Sequence, residues 1–348
     1  MVNINLIVFS VVLCIGLTHC VKDSKVVCFY ESWFAYPSHG HGAMSVKDIA
    51  CTHLVYGYVG VDTGADIKIL DDTLFDQLPK VKGTDKSLVA IGGFSHAIEI
   101  VAALDNPSLF SRNVMAFLKK YSFDGIVLEF TNGWSVDYMD KYIKLVSVLR
   151  EDFKTSGFVL GSVLAAQLPG YEIKKVIQQV DFISVNTFDY NGPWHETPPQ
   201  TPTGHIASLI DIKASMTIWA DQIDKDQMSK LLISLPFFGH TWKLADPTDH
   251  DVGAKASDKG PGQPFTNTTE GGFTKVDDKE ACSVYFYKDD LWITIEIEDT
   301  VKVKANWATT EGFGGVTVRA INYDDFNGYV TSKKHPLLTA VNEGINRN

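Results

Sequence analysis

The chain has 348 residues, 45% hydrophobic and 21% charged, with a formal net charge of -11. That length suits one large α/β barrel or two ordinary domains, and the composition is that of a folded globular protein. No Lys/Arg-rich block is present, which argues against a nucleic-acid partner; solubility accounts for the acidic balance.

Residues 3–17 (NINLIVFSVVLCIGL) form an apolar run followed by Thr18, His19 and Cys20. This pattern reads as a secretory signal peptide over residues 1–20, cut near Cys20. The alternative is an N-terminal membrane anchor, but the run is short for a bilayer span of about 20 residues. No later segment is apolar enough to span a bilayer, so residues 21–348 are expected to be secreted, extracellular and free of the membrane. Cys28, Cys51 and Cys282 remain after the cut. Cys28 and Cys51 flank the first strand–helix unit and are paired as a disulfide, permitted by secretion. Cys282 is left over, either buried or available for an intermolecular bond.

Eight short apolar runs rich in β-branched and aromatic residues follow in order, at 26–32, 53–61, 88–94, 124–130, 158–166, 182–189, 231–238 and 314–321. Helical patterns separate most of them. From Ser108 to Tyr121, Leu109, Phe110, Val114, Phe117 and Leu118 recur at three- and four-residue spacings, and Tyr142, Leu145, Val146 and Leu149 repeat this between Tyr138 and Phe153. Strands alternating with helices predict a parallel sheet. Eight such units predict a closed (β/α)8 TIM barrel, with a doubly wound open sheet as the alternative on pattern alone. Between the seventh and eighth strands the spacing widens. A Pro/Gly-rich loop and a short strand candidate at Ser283–Tyr287 predict a small α+β-type insertion over about 240–295. Asn267-Thr268-Thr269 in that loop is a glycosylation sequon.

A barrel carries its chemistry at the C-terminal ends of its strands. Side chains alternate along a strand, so Val127, Glu129 and Thr131 share a face, the one turned to the barrel interior. A carboxylate there needs a partner or a raised pKa. His39 and His41 lie close together in a Gly-rich loop and are read as exposed; no metal and no cofactor is expected.

Several stretches, taken in order, carry a resemblance to family 18 chitinases. They are Cys28 to Trp33, Cys51 to Tyr56, Ala90 to Phe94, Phe123 to Thr131, Val180 to Trp194, Leu235 to Trp242 and Gly314 to Phe326. The resemblance covers the chain from Val26 to about Glu343, and the arthropod members, especially the mite group, are the most similar. The family's signature strand reads roughly D-G-x-D-x-D-x-E. Aligned on Asp124-Gly125, it places Val127 and Glu129 at the two inner aspartates and Thr131 at the general acid. The family mechanism is substrate-assisted: the sugar's acetamide attacks the anomeric carbon while the Glu donates a proton. The resemblance therefore implies degeneracy at several positions. Thr131 cannot donate that proton near neutral pH, which alone typically removes about 10²–10⁴ in rate. Glu129 is longer than the orienting Asp. Phe188 lacks the phenol hydroxyl of the sixth-strand Tyr. Arg319 replaces the indole that floors the central sugar, and His240 stands where the family usually has Arg.

What remains implies recognition. Tyr30, Trp33, Glu129, Asp189, Trp194, Trp242 and Arg319 are the expected ligand contacts, aromatic faces packing on pyranose rings. Arg319 is expected to pair with Glu129 or Asp189. The expected function is a secreted lectin for chitin or N-acetylglucosamine oligosaccharides that does not hydrolyse them. The alternatives are a signalling or growth-factor-like protein that meets a protein receptor through the barrel surface, and a slow chitinase using Glu129 or Asp189 as acid.

Overall fold

The computed structural model describes residues 24–32, 49–70, 75, 84–93, 100–131, 136–166, 172–193, 202–260, 263–264 and 271–347. The expected signal peptide, His39, His41, Trp33, Trp194 and Asn267 lie outside the described residues.

The eight apolar runs become eight barrel strands: β1 (Lys25–Glu31), β2 (His53–Val61), β4 (Lys86–Gly92), β5 (Gly125–Phe130), β6 (Val159–Ala165), β7 (Phe182–Asn186), β8 (Leu231–Pro236) and β15 (Gly315–Arg319). All pair in parallel around a ring in the order β1-β15-β8-β7-β6-β5-β4-β2, and β2 closes on β1. A short β3 (Ile67–Ile69) adds an antiparallel hairpin to β2. The closed ring realises the (β/α)8 barrel and sets aside the open sheet. Strands buried on both faces explain why their sequences read as continuous apolar runs.

Helices α1 (Ile100–Asp105), α2 (Pro107–Tyr121), α3 (Val136–Phe153), α4 (Ile173–Ile177), α5 (Leu209–Ala220), α6 (Glu298–Thr310) and α7 (Pro336–Gly344) pack outside. Each of the longer ones follows from local rules. In α2, Pro107 opens the first turn, Phe110, Val114, Phe117 and Leu118 are buried, and Lys119 and Lys120 complement the dipole of the last turn. Ser208 caps α5 by accepting a hydrogen bond from the Asp211 N–H at 3.1 Å. Arg150 of α3 reaches Asp181, at the foot of β7, at 2.8 Å.

Two apolar layers result. The barrel interior holds Val27, Phe29, Val55, Tyr58, Leu88, Ala90, Val127, Val163, Phe182, Leu232 and Ala320. The larger layer, between strands and helices, holds their alternates, including Cys28, Tyr30, Tyr56, Ile126, Leu128 and Phe130. Cys28 and Cys51 form a disulfide that ties β1 to the residues leading into β2, with a Cα–Cα distance of 6.1 Å. Cys282 is half-buried and unpaired, and burial pushes its thiol up.

Between β8 and β15 the chain builds a second, antiparallel sheet from β9 (Phe238–Leu244), β10 (Ala256–Lys259), β11 (Gln263–Pro264), β12 (Thr274–Asp278), β13 (Ser283–Lys288) and β14 (Leu291–Ile295). Its main order is β10-β9-β14-β13-β12, with β11 pairing β9. Trp242, Leu244, Ala254, Tyr285 and Trp292 form its core. The lobe is fastened to the barrel by polar contacts. The Leu209 N–H donates to the Ala281 carbonyl at 2.8 Å, and the Ile206 N–H donates to Thr294 Oγ1 at 3.1 Å. The buried Lys304 of α6 pairs with Glu296, just past β14.

Candidate functional site

The strands' C-terminal ends converge on Arg319, the last residue of β15. Its Nη1 donates to Glu129 Oε2 at 2.8 Å, and its Nη2 donates to Tyr58 Oη at 2.9 Å and to Glu129 Oε1 at 3.4 Å. Tyr58 Oη in turn donates to Glu129 Oε2 at 2.7 Å. Glu31 Oε1 lies 3.9 Å from Nη2. The guanidinium sits 4.3 Å from the centre of the Phe29 ring and 5.9 Å from that of Phe188, a cation–π contact in a desolvated place. Arg319, Glu129, Tyr58 and Glu31 are all buried, with exposures of 8%, 6%, 6% and 6%.

Burial opposes the charge on Arg319, but Glu129, Tyr58 and Glu31 outweigh it and hold the guanidinium above its ordinary range. Burial pushes Glu31 up to about 7, against the pull of Arg319 and with a further push from Glu129. Burial likewise raises the Tyr58 phenol well above its usual value, with Arg319 opposing. Of the two carboxylates, Glu129 holds the guanidinium directly and Glu31 stands further off.

Local backbone explains who reaches this cluster. Along β1, Val27, Phe29 and Glu31 point inward. Along β2 the register against β4 shifts between Tyr56 and Val59, a bulge that swings Tyr58 inward although Val55 on the same strand also faces the interior. Gly93 makes room for it: a Cβ there would stand 2.9 Å from Tyr58 Cε1, and its φ of +83° suits glycine. Asn322, just past β15, clamps the end of β1, accepting from the Glu31 N–H at 2.8 Å and donating to the Glu31 carbonyl at 3.2 Å.

Beside the cluster lies a half-exposed aromatic shelf. Phe238 meets Phe188, Tyr323 and His240 at ring-centre distances of 5.7, 5.5 and 5.6 Å. Asp189 stands at its edge with a 42% exposed side chain, its Oδ1 2.7 Å from His240 Nε2. Burial, Glu31 and Asp189 all push the Tyr323 phenol up while Arg319 opposes, so the shelf and the buried cluster share one electrostatic neighbourhood.

Among the residues singled out from sequence, Glu129 and Arg319 meet directly, Phe188 faces Arg319, and Asp189 pairs with His240 rather than with Arg319. Val127 lies in the inner apolar layer below Glu129. Thr131 is half-buried just past β5. Two expected ligand contacts are placed elsewhere. Tyr30 is 1% exposed and packs with Tyr56 in the layer behind the barrel, because its parity on β1 is outward. Trp242 is fully buried in the lobe core, edge-on to Trp292 at 5.3 Å, because β9 has already left the barrel at that point. Glu31, Phe29, Tyr58, Phe238 and Tyr323 were not singled out from sequence. The inward parity of Phe29 and Glu31 follows once Val27 is known to face inward, whereas the bulge that turns Tyr58 leaves no local signal. Among the described residues, no group of three or more His, Cys, Asp or Glu could hold a metal ion, and no helix is long and apolar enough to cross a membrane.

Comparison with known proteins agrees with this architecture. The family model described as glycosyl hydrolases family 18 matches residues 25–324. The chitinase-like mite allergen Der p 18.0101 of Dermatophagoides pteronyssinus is 32% identical, covering 93% of this chain and 76% of its own. Its counterpart Der f 18.0101 of Dermatophagoides farinae is 30% identical over 92% and 74%. Among solved structures, catalytic domain 2 of the Ostrinia furnacalis Group II chitinase superposes with a TM-score of 0.84 at 22% identity, covering 94% of this chain and 97% of that one. Human YKL-39, described as a pseudo-chitinase with retained chitooligosaccharide binding properties, gives 0.79 at 20% identity, covering 93% and 100%. With its barrel, its signature strand and a family match from the first barrel strand to just past the last, this chain belongs to glycosyl hydrolases family 18, among the chitinase-like members.

Proposed function

We propose that this protein is a secreted chitinase-like lectin that binds chitooligosaccharides without hydrolysing them. One observation carries the reading. The Glu129 carboxylate is committed to Arg319 and Tyr58, while the position two residues on, where the family resemblance puts the proton donor, is Thr131. A carboxylate whose oxygens accept from a guanidinium and a phenol is not positioned to give a proton to a glycosidic oxygen. The aromatic shelf and the exposed Asp189 offer what sugar recognition needs: flat apolar faces and a hydrogen-bond acceptor. The pseudo-chitinase neighbour, described as retaining chitooligosaccharide binding, supports the same reading.

The test is calorimetric titration of the purified protein with chitohexaose, followed by chromatography of the sugar. Saturable heat with intact hexamer is expected. Shortened products would replace the lectin with a slow chitinase. Absence of heat would mean that the Arg319 cluster closes the groove, and the search would move to protein partners on the outer surface.

A further inference from the structure

We propose that the groove sorts its sugars by charge, preferring oligomers with free amino groups, that is glucosamine-containing chains, over fully N-acetylated ones, with Asp189 as the discriminating residue. The inference rests on the carbohydrate-binding reading above and narrows it to a class of sugar.

Geometry and charge carry it together. Asp189 is the exposed carboxylate at the edge of the Phe188, Phe238 and Tyr323 shelf. His240 engages its Oδ1, and its Oδ2 has no hydrogen-bond partner among the described residues. A pyranose ring resting on the shelf would direct an equatorial substituent outward, toward this rim. An ammonium there gains a charge-assisted hydrogen bond to the open oxygen; an acetamide, being neutral, gains only an ordinary one.

The space inward of the shelf does not favour an acetyl group. Glu129, Arg319 and Tyr58 fill it and hydrogen-bond one another, with Glu31 beside them, each at most 8% exposed. Phe188, whose ring centre lies 5.9 Å from the Arg319 guanidinium, presents no hydroxyl to an acetamide oxygen. Charge points the same way. Arg319 is paired with Glu129 and Asp189 faces solvent, so the exposed rim leans negative in a chain of net charge -11. Such a field concentrates cationic ligands and weakens with salt.

The experiment titrates the whole protein in mildly acidic buffer, where the sugar amines are protonated, with glucosamine hexamer and with chitohexaose, at low and raised salt, and repeats both with Asp189→Asn. The glucosamine hexamer should bind about tenfold or more tighter, the scale of a charge-assisted over a neutral hydrogen bond. Raised salt should erode that advantage, and Asp189→Asn should bring the two sugars to within about twofold. Salt dependence of the unaltered protein keeps the test valid if the variant folds poorly. Equal or tighter binding of chitohexaose would overturn the inference and leave the lectin reading standing. A glucosamine preference unchanged in Asp189→Asn would overturn the assignment to that residue. Failure of both sugars to bind would overturn the lectin reading and this inference with it.

Discussion

Arg319 and Glu129 are 190 positions apart in sequence, yet each supplies the other's charge partner inside the barrel mouth. Removing one partner of such a pair is costly because the other is left buried and charged. Arg319→Met should therefore destabilise the fold by roughly 3–5 kcal/mol in urea denaturation, and Arg319→Met with Glu129→Met should recover most of the loss. A double variant no more stable than the single one would show that Arg319 acts through its packing on Phe29 and Phe188 instead. The same pair bears on Thr131. Thr131→Glu puts a carboxyl where the family resemblance places the proton donor, but Glu129 remains held by Arg319 and Tyr58, and Phe188 carries no hydroxyl. That variant should leave chitohexaose hydrolysis at background; robust turnover would refute this account of the site. At this scale the sequence was partly legible. Alternation placed Glu129 on the interior face, which called for either a partner or a raised pKa, and the structure supplies the partner. It misled at Tyr30, because an apolar run such as VVCFYE hides its own parity when both faces are buried. It misled again at Trp242, because no residue marks the place where β9 leaves the barrel for the lobe.

The elements themselves were easier to read. Each apolar run became a strand within a few residues of its expected bounds, because a parallel barrel buries both faces of every strand and so writes an uninterrupted apolar signal. The helices α2 and α3 followed from three- and four-residue spacing. The extent of the lobe sheet was less legible. A strand such as Thr274–Asp278 is partly exposed and polar, and its pairing depends on the neighbouring hairpin rather than on its own pattern. One covalent device acts at the scale of elements: the disulfide fixes β1 to the entry of β2 across 23 positions. A joint Cys28→Ala and Cys51→Ala change should lower stability by about 2–4 kcal/mol, as expected for closure of a loop of this size. A change under about 0.5 kcal/mol would mean that pairing of β1 with β2 and β15 already supplies the constraint.

For the molecule as a whole, the buried Glu31 makes stability depend on pH in a defined direction. Its folded pKa, pushed by burial up to about 7, lies above the ordinary 4.5. The unfolded chain therefore releases this proton first as pH rises. The stability conferred by the protonated form is complete below about pH 4.5 and is lost as pH climbs through 7. Comparing the protein with Glu31→Gln, the stability difference should shift against the unaltered protein by roughly 2–4 kcal/mol between about pH 4 and 8. A difference independent of pH would place Glu31 in contact with water or ionised throughout.

The ring that holds the site closes between β1 and β15, with Lys25 opposite Gly315. The first and last barrel strands are therefore the last partners to meet, and contacts this distant slow folding. Before β15 is made, the barrel strands up to β8 can pair only as an open sheet with a bare edge on β8, while the lobe hairpins, whose contacts are local, need no part of the seam. Until β15 arrives, Glu129 has no guanidinium and both flanks of the seam are open to other chains. A chain ended after Thr310 should accordingly be recovered in aggregates to a greater extent than the full chain; an equally soluble truncated form would show that the remaining strands close without the last one. The residue that fills the mouth thus lies on the last barrel strand to be made, and the site acquires its character only when that strand arrives.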